Sequence, residues 1–333
     1  MNDLKKFKVL VTPTSYGTSD ISLKTGLENA VGEVIYNNLG RALHEHELIE
    51  VIHDVDGLIG GLDEITERVI GSAPRLKVIS GYGVGMEKVA IEAATEKGIF
   101  VCNTPGTDSA SVAELTVGLI ISLLRKICEL NTLTKAGEWI TINTTGLRNK
   151  KVGLIGFGAI GKETAKRLQA FDCIILSYDP FIEALECMDY NVKKCDLDTL
   201  LHESDIVSLH LPVTLSTRKL VNTSFISKMK KGAVLINTAR GELLDNEAVT
   251  DALKTGQIGG LAIDAYLKEP PDMDDPIFSF NQVIATPHAC AHTDDATNAM
   301  GKMALENCLA GLQGKLPDHI VNREVIKIHS VKG

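Results

Sequence analysis

Three short stretches in the second half of the chain carry side chains that could act together: "LINTARGELLD" with Arg240, "LKEPP" with Glu269 and "IATPHACAHT" with His288. Arginine presents a planar fork that matches a carboxylate. Histidine gives or takes a proton near neutral pH, and a neighbouring carboxylate raises its pKa and fixes its tautomer. Singly, each has an ordinary reading: an arginine paired with a surface acid, a loop charge before two prolines, a satisfied turn histidine. Together they are the cation, the proton donor and the orienting group that hydride exchange between a nicotinamide and a 2-keto acid requires. Their positions support the joint reading. Arg240 follows the run "AVLINT" and His288 follows "VIAT", which puts both at carboxyl ends of strands, the edge where doubly wound sheets hold ligands. A metal is not expected. His288, Cys290 and His292 alternate, but a zinc site needs a further ligand at suitable spacing, and the chain offers only distant ones such as His210.

A nicotinamide needs a cradle, and "KVGLIGFGAIGKETAKRL", starting at Lys151, reads as one. Gly156, Gly158 and Gly161 form G-x-G-x-x-G between a strand and a helix. The first glycine permits the tight turn, the second lets the backbone approach a pyrophosphate, and the third allows close helix–strand packing. The next strand, "IILSY", ends just before Asp179. An acid there accepts hydrogen bonds from ribose hydroxyls and repels a 2′-phosphate. Pro180 and Phe181 follow, with no arginine to receive a phosphate, so NAD is expected rather than NADP.

The elements that must position these residues are α/β throughout. A chain of 333 residues amounts to two domains at ~150 residues each. From Lys151 onward the runs "VGLI", "IILSY", "DIVSLHL", "AVLINT", "GLAID" and "VIATP" alternate with helical segments, as in a parallel doubly wound sheet. The first hundred residues repeat the theme with "FKVLVT", "EVIY", "VDGLIGG", "LKVIS" and "GIFVC". Between the two lies "TPGTDSASVAELTVGLIISLLRKICEL", with N-cap candidates Thr107, Asp108 and Ser109 and a segment apolar on every side, which predicts a helix buried all round, in the cleft between domains or at a subunit interface. A second long helix is expected from Asp294 to Leu312, and the tail "LPDHIVNREVIKI" reads as strand. The glycine-rich unit therefore begins in mid-chain because it is an insertion: one domain of residues 1–103 and 287–333, interrupted by 104–286. A tandem arrangement is the alternative, and it leaves the last segment without a place to pack.

Composition bounds the partners. A net charge of -9 with no basic tract argues against nucleic acid. No apolar run approaches the ~20 residues of a membrane span, and "MNDLKKFKVLV" enters a strand without an export signal. Seven cysteines, an odd number with no CxxC pair, read as reduced thiols in the cytoplasm. Cys290, beside the expected acid–base, could confer sensitivity to thiol oxidants.

Taken together, "GFGAIGKETAKRL…YDP", "HLPVTLSTRKLVN", "NTARGELLD", "KEPP" and "TPH" resemble the D-isomer-specific 2-hydroxyacid dehydrogenases. So do "LKVISGYGVGMEKVAIEAATEKGIFVCNTPGTDSASVAELTVGLIISLLRK" and "LPDHIVNREV", and the overall pattern is most similar to the phosphoglycerate-dehydrogenase-like branch. The resemblance implies a Rossmann NAD-binding domain inserted into a discontinuous flavodoxin-like substrate domain, and a homodimer built around the helix after Thr107. It implies that Arg240 grips a small 2-keto or 2-hydroxy acid, that His288 is the acid–base and that Glu269 orients it. Val84 and Gly85, beside Tyr82, would offer backbone N–H groups to the substrate carboxylate, an arrangement that suits a glycine-rich turn. Asp264 would lie near the nicotinamide amide. Ala159, Ile160, His210, Pro212, Thr217, Thr238, Ala239 and His288 would join the glycines and Asp179 around the cofactor.

Relatives that bind a phosphorylated substrate are expected to carry arginines in the loops after the early strands. Here those loops hold Thr14, Gly60, Gly61 and Gly81. Either the substrate has no phosphate, the favoured reading, or other residues such as Arg41, Arg148 or Lys6 hold it. The family's longest members also carry a C-terminal regulatory domain, which this length leaves out. A non-catalytic NAD(H)-binding scaffold or corepressor-like protein is the alternative from another class. It needs the cofactor pocket but no proton donor, so the complete trio speaks against it. Phosphite- and formate-oxidising relatives are the enzymatic alternatives, and Glu269 speaks against the formate type, where an amide is expected.

Overall fold

The computed structural model of the chain describes residues 4–331. It divides into two compact units, one made of the described residues up to Asp108 together with those from His292, the other of Ser109–Ala291. In the first unit, Lys8–Val11 (β1), Glu33–Tyr36 (β2), Gly57–Gly60 (β3), Val78–Gly81 (β4) and Phe100–Cys102 (β5) form a parallel sheet in the order β2-β1-β3-β4-β5. The second unit carries Lys151–Ile155 (β6), Ile174–Tyr178 (β7), Lys193–Lys194 (β8), Ile206–Leu209 (β9), Ala233–Asn237 (β10), Ile258–Ile263 (β11) and Val283–Ala285 (β12). These too are parallel, in the order β12-β11-β10-β9-β6-β7-β8. Two doubly wound sheets are what the alternating runs require.

Both sheets are covered on both faces, which explains why their strands are continuously apolar. Val9, Val11, Ile59 and Val78 point into one core of the first unit, and Leu10, Leu58, Ile79 and Val101 into the other. In the second unit, Ile155 and Leu235 serve one core and Leu154 and Ile236 the opposite one. One device recurs in both units. Asp56, just before β3, accepts the N–H of Lys8 at the start of β1, and Asp205, just before β9, accepts that of Lys151 at the start of β6, each at 2.9 Å.

The last segment packs on the first sheet. Asp294–Leu312 is a helix, as its sequence predicts, N-capped by Thr293, and it places Ala304, Cys308 and Leu312 in the first unit's core. Ser80 in β4 donates to the Ala304 carbonyl at 2.8 Å. The joins between units fall at 108/109 and 291/292, each a few residues beyond the 103/104 and 286/287 read from the sequence. Side chains explain the difference. Thr104 is held to Gly83 by reciprocal bonds, which keeps the first loop with the first unit. Ala289 and Cys290 donate backbone N–H groups to Asp264, which keeps theirs with the second.

One expectation is corrected. The tail is not a strand: only a bridge between Ile320 and Cys102 pairs with β5, and Val325–Val331 is helical. Its β-branched residues serve a helix whose buried anchor is Val325. Within its own unit the Ser109–Leu124 helix is covered on one side. Glu114 and Gly118 are exposed and residues 121–124 half-buried, because the helix packs on the Ala159–Gln169 helix and on β10 to β12 along one side only. Among the described residues no helix is long and apolar enough to cross a membrane.

Asn322 closes the edge of β5. It is buried, its Oδ1 accepts the Val101 N–H, and its Nδ2 donates to the Ile99 carbonyl and to Thr95 Oγ1, each at 2.9 Å. Asn322→Ala leaves those groups unsatisfied in the interior and is expected to destabilise the first unit by about 2–4 kcal/mol, read from the midpoint of a urea unfolding curve. His210, after β9, has Nε2 at 3.0 Å from Ser208 Oγ, and burial pushes its pKa down to about 4 from an ordinary 6.5. Between those values the unfolded chain takes up the proton first, so stability is complete above about 6.5 and is lost as pH falls toward 4. His210→Gln should therefore lose less stability than the wild type between pH 7 and 4.5, by at most about 3 kcal/mol, in denaturation curves at the two pH values.

Candidate active site

In the second sheet the strand order reverses between β6 and β9, and the crevice outside the carboxyl ends of those strands is where such sheets take ligands. Gly156 follows β6 with φ +94°, and a Cβ there would lie 2.2 Å from the His210 carbonyl oxygen, so this turn accepts glycine alone. At Gly158 an added Cβ would meet nothing within 4 Å. That open space lies at the N-terminus of the Ala159–Gln169 helix, which no side chain caps. The first-turn N–H groups of Ala159, Ile160 and Gly161 thus remain for an anion. Asp179 accepts the N–H of Phe157 and of Phe181, both at 2.8 Å, and is held against the glycine loop with a second lone pair on each oxygen. An uncapped helix start, a cleared approach and a positioned acid fit a dinucleotide.

The remaining residues that the resemblance assigned to the cofactor lie at this edge in varied roles. His210 is neutral above about pH 4, and its carbonyl backs Gly156. Thr217 donates to the Pro212 carbonyl at 2.8 Å and accepts the Thr214 N–H, so its hydroxyl closes its own loop. Thr238 is buried with its hydroxyl 2.9 Å from that of Thr116. Ala239 donates its N–H to Asn237 Oδ1, and its carbonyl accepts Nη1 of Arg240.

The three chemical residues leave the loops after adjacent strands β10, β11 and β12. Asn237, buried at the end of β10, shapes the turn that presents Arg240 by donating to the Arg240 carbonyl at 2.8 Å. A Cβ on the following Gly241 would lie 2.1 Å from the carbonyl carbon of Tyr266, so the arginine loop rests directly on the loop after β11. His288 has φ +52°, in the left-handed region that few non-glycine residues occupy. Its Nδ1 lies 2.7 Å from Glu269 Oε1. That bond orients the imidazole and leaves Nε2 as the ring atom for proton exchange. Strands β10 and β12 are two spacings apart, ~10 Å, within the span of an extended arginine and a small bound acid.

Asp264 does more here than its assignment foresaw. It is fully buried, and it accepts Thr286 Oγ1 at 2.6 Å, the Ala289 N–H at 2.8 Å and the Cys290 N–H at 3.0 Å. Thr286, Tyr266 and Asn237 were not singled out in the sequence. The signal available for Asp264 was its place at the end of the apolar run "GLAID", where an acid must be buried and hence bonded. Cys290 is itself buried, which counts against ready oxidation. Among the described residues no group of three His, Cys, Asp or Glu side chains could hold a metal ion.

The expected carboxylate loop belongs to the first unit. Tyr82 OH donates to the Thr297 carbonyl at 3.0 Å, and Asn103 Nδ2 donates to the Val84 carbonyl at 3.0 Å. Gly83, with φ +144°, turns the chain so that the N–H groups of Val84 and Gly85 have no acceptor among the described residues.

Residues 117–290 match the family model described as D-isomer specific 2-hydroxyacid dehydrogenase, NAD binding domain. A glyoxylate reductase of Thermofilum pendens is 43% identical over 296 residues, covering 86% of this chain and 87% of that protein. A D-3-phosphoglycerate dehydrogenase of Methanocaldococcus jannaschii is 40% identical over 297 residues, 88% of this chain but 56% of that protein. Among solved structures, the D-lactate dehydrogenase of Aquifex aeolicus, in complex with NAD and lactic acid, superposes with a TM-score of 0.82 at 26% identity, covering 94% of this chain and 99% of the other. With the nucleotide cradle and the histidine–glutamate pair in place, the chain belongs to the D-isomer specific 2-hydroxyacid dehydrogenase family, as an NAD-dependent oxidoreductase acting on a CH–OH group.

Proposed function

We propose that this chain interconverts a small, unphosphorylated 2-keto acid of glyoxylate size and the corresponding D-2-hydroxy acid, with the second unit holding NAD. The observation that carries the reading is the 2.7 Å contact between Glu269 Oε1 and His288 Nδ1 at the carboxyl edge of the sheet. The size class rests on the cations. No arginine lies in the loops after β1, β3 and β4. The candidates to replace one are engaged elsewhere: Arg41 forks onto Glu47, Arg148 lies 3.6 Å from Asp172, and Lys6 lies over the Phe7 ring. The glyoxylate reductase named above agrees with a small substrate.

NAD, when bound, supplies or receives the hydride. Arg240 grips the substrate carboxylate through its planar fork. In reduction, His288 gives a proton from Nε2 to the substrate oxygen, and in oxidation it takes one back. Glu269 keeps the ring turned toward that oxygen. We assign the protein to the cytoplasm, in keeping with the absence of disulfides among its described cysteines. We assign it a homodimeric state because Trp139 is 93% exposed and Ile140 51% exposed beside the half-covered end of the Ser109–Leu124 helix.

NADH oxidation with a panel of 2-keto acids tests the reading. Glyoxylate or hydroxypyruvate should turn over, and phosphohydroxypyruvate should give a kcat/KM at least about 100-fold lower, for lack of bidentate partners. No turnover on any member would sink the proposal. Reduction needs protonated His288, so its rate should fall with rising pH. In Glu269→Gln that fall should move to lower pH, because the imidazolium loses its carboxylate partner. Arg240→Lys should lower kcat/KM about 100-fold or more, because a point charge does not reproduce the fork.

A further inference from the structure

Between the arginine loop and the histidine loop stands a residue that the proposed chemistry does not use. Tyr266 follows β11, half-buried, and reaches both partners of the acid–base pair. Its backbone N–H donates to Glu269 Oε1 at 3.3 Å, the same oxygen that meets His288 Nδ1. Its phenol donates to the Thr286 carbonyl at 2.8 Å, and that carbonyl also accepts the His288 N–H at 3.0 Å. One side chain and one amide thus hold the carboxylate that orients the imidazole and the turn that sets the backbone of His288. We propose that Tyr266 is a positioning residue for His288, acting through Glu269 and the Thr286 carbonyl; the proposal rests on the assignment of His288 as the acid–base.

Three features separate this from a tyrosine that merely satisfies a carbonyl. The turn it ties is one with a reason to relax, since His288 sits at φ +52°. The backbone of Tyr266 is backed by Gly241, where a Cβ would come within 2.1 Å, so its N–H is fixed relative to the loop of Arg240. The ring is half-buried: it packs on the core of the second unit beside Phe278, with centroids 6.1 Å apart, and borders a cavity of about 180 Å³ lined also by Leu244 and Ile263. Core packing holds the body of the ring, and the phenol bond fixes its outer end on the Thr286 carbonyl. Burial raises the phenol to about 12, so it remains protonated and a donor throughout the working range.

Tyr266→Phe removes the hydroxyl and keeps the ring. In the NAD-dependent reduction of a 2-keto acid, kcat should fall about tenfold while KM and the affinity for NADH stay within about twofold, as for a lost orienting bond. The alkaline limb of kcat should move to lower pH. In the enzyme without ligands, the His288 ring carbons, followed by NMR and assigned with His288→Gln, should titrate with a lower midpoint than in wild type, because the turn that sets the imidazole against Glu269 is held less closely. An unchanged midpoint overturns the proposal whatever happens to the rate, and so does a variant that loses only denaturation stability. The two readings fail separately. A wild type that turned over no 2-keto acid would remove the functional assignment, while the imidazole titration would still decide whether Tyr266 positions His288.

Discussion

A buried carboxylate must find donors or cost the fold several kcal/mol, and Asp264 finds them in the loop that carries His288. The constraint works in both directions. The acid cannot be buried at the end of β11 unless residues 286–290 wrap it, and that loop cannot hold a histidine at φ +52° unless something fixes both its ends. Thr286 is tied on one side of His288, Ala289 and Cys290 on the other. The backbone is set by Asp264 and the ring by Glu269. Two acids thus have separate duties around His288, one buried and holding its loop, one half-buried and holding its ring.

The same economy of means runs through the whole chain. Asp56 and Asp205 hold the amino ends of β1 and β6, and Asp179 fixes the glycine loop by accepting two backbone N–H groups. Each acid stands beside the end of a parallel strand, where the ladder stops and N–H groups lose their partners. This accounts for part of the charge of -9 without invoking a cationic partner. Acids placed here are acceptors for loops. It also explains how two sheets of unlike size share one plan, since the device depends on strand ends and not on the number of strands.

What could be read from the sequence, and what could not, divides along this line. The strands were legible because a parallel sheet covered on both faces leaves continuous apolar runs; the Gly156 turn and the meeting of Glu269 with His288 after neighbouring strands were legible because those residue types stand just past strand ends. Asp264's part in the loop was not, because its partners are two main-chain N–H groups and a threonine, which carry no pattern. The tail misled for a related reason: "HIVNREVIKI" has strand composition, but the edge of β5 is satisfied by the side chain of Asn322 rather than by a further strand, and the chain is then free to coil.

The substrate loops of the first unit carry the argument one step further. Asp63, buried after β3, accepts the Thr12 hydroxyl, the Leu43 N–H and the Gly61 N–H, and so knits together the loops after β1 and β3. These are the loops in which a phosphate-binding relative is expected to place arginines. A carboxylate whose charge is spent on holding backbone amides does not neutralise a second anion; at close range it repels one, and the interior does little to screen it. The loop that would have to receive a phosphate is therefore built around a negative charge, with glycine where a cation would be needed. The proposed preference for a small 2-keto acid is supported by the way the first unit holds its own loops in place, as well as by the absence of arginine from the loops after β1, β3 and β4.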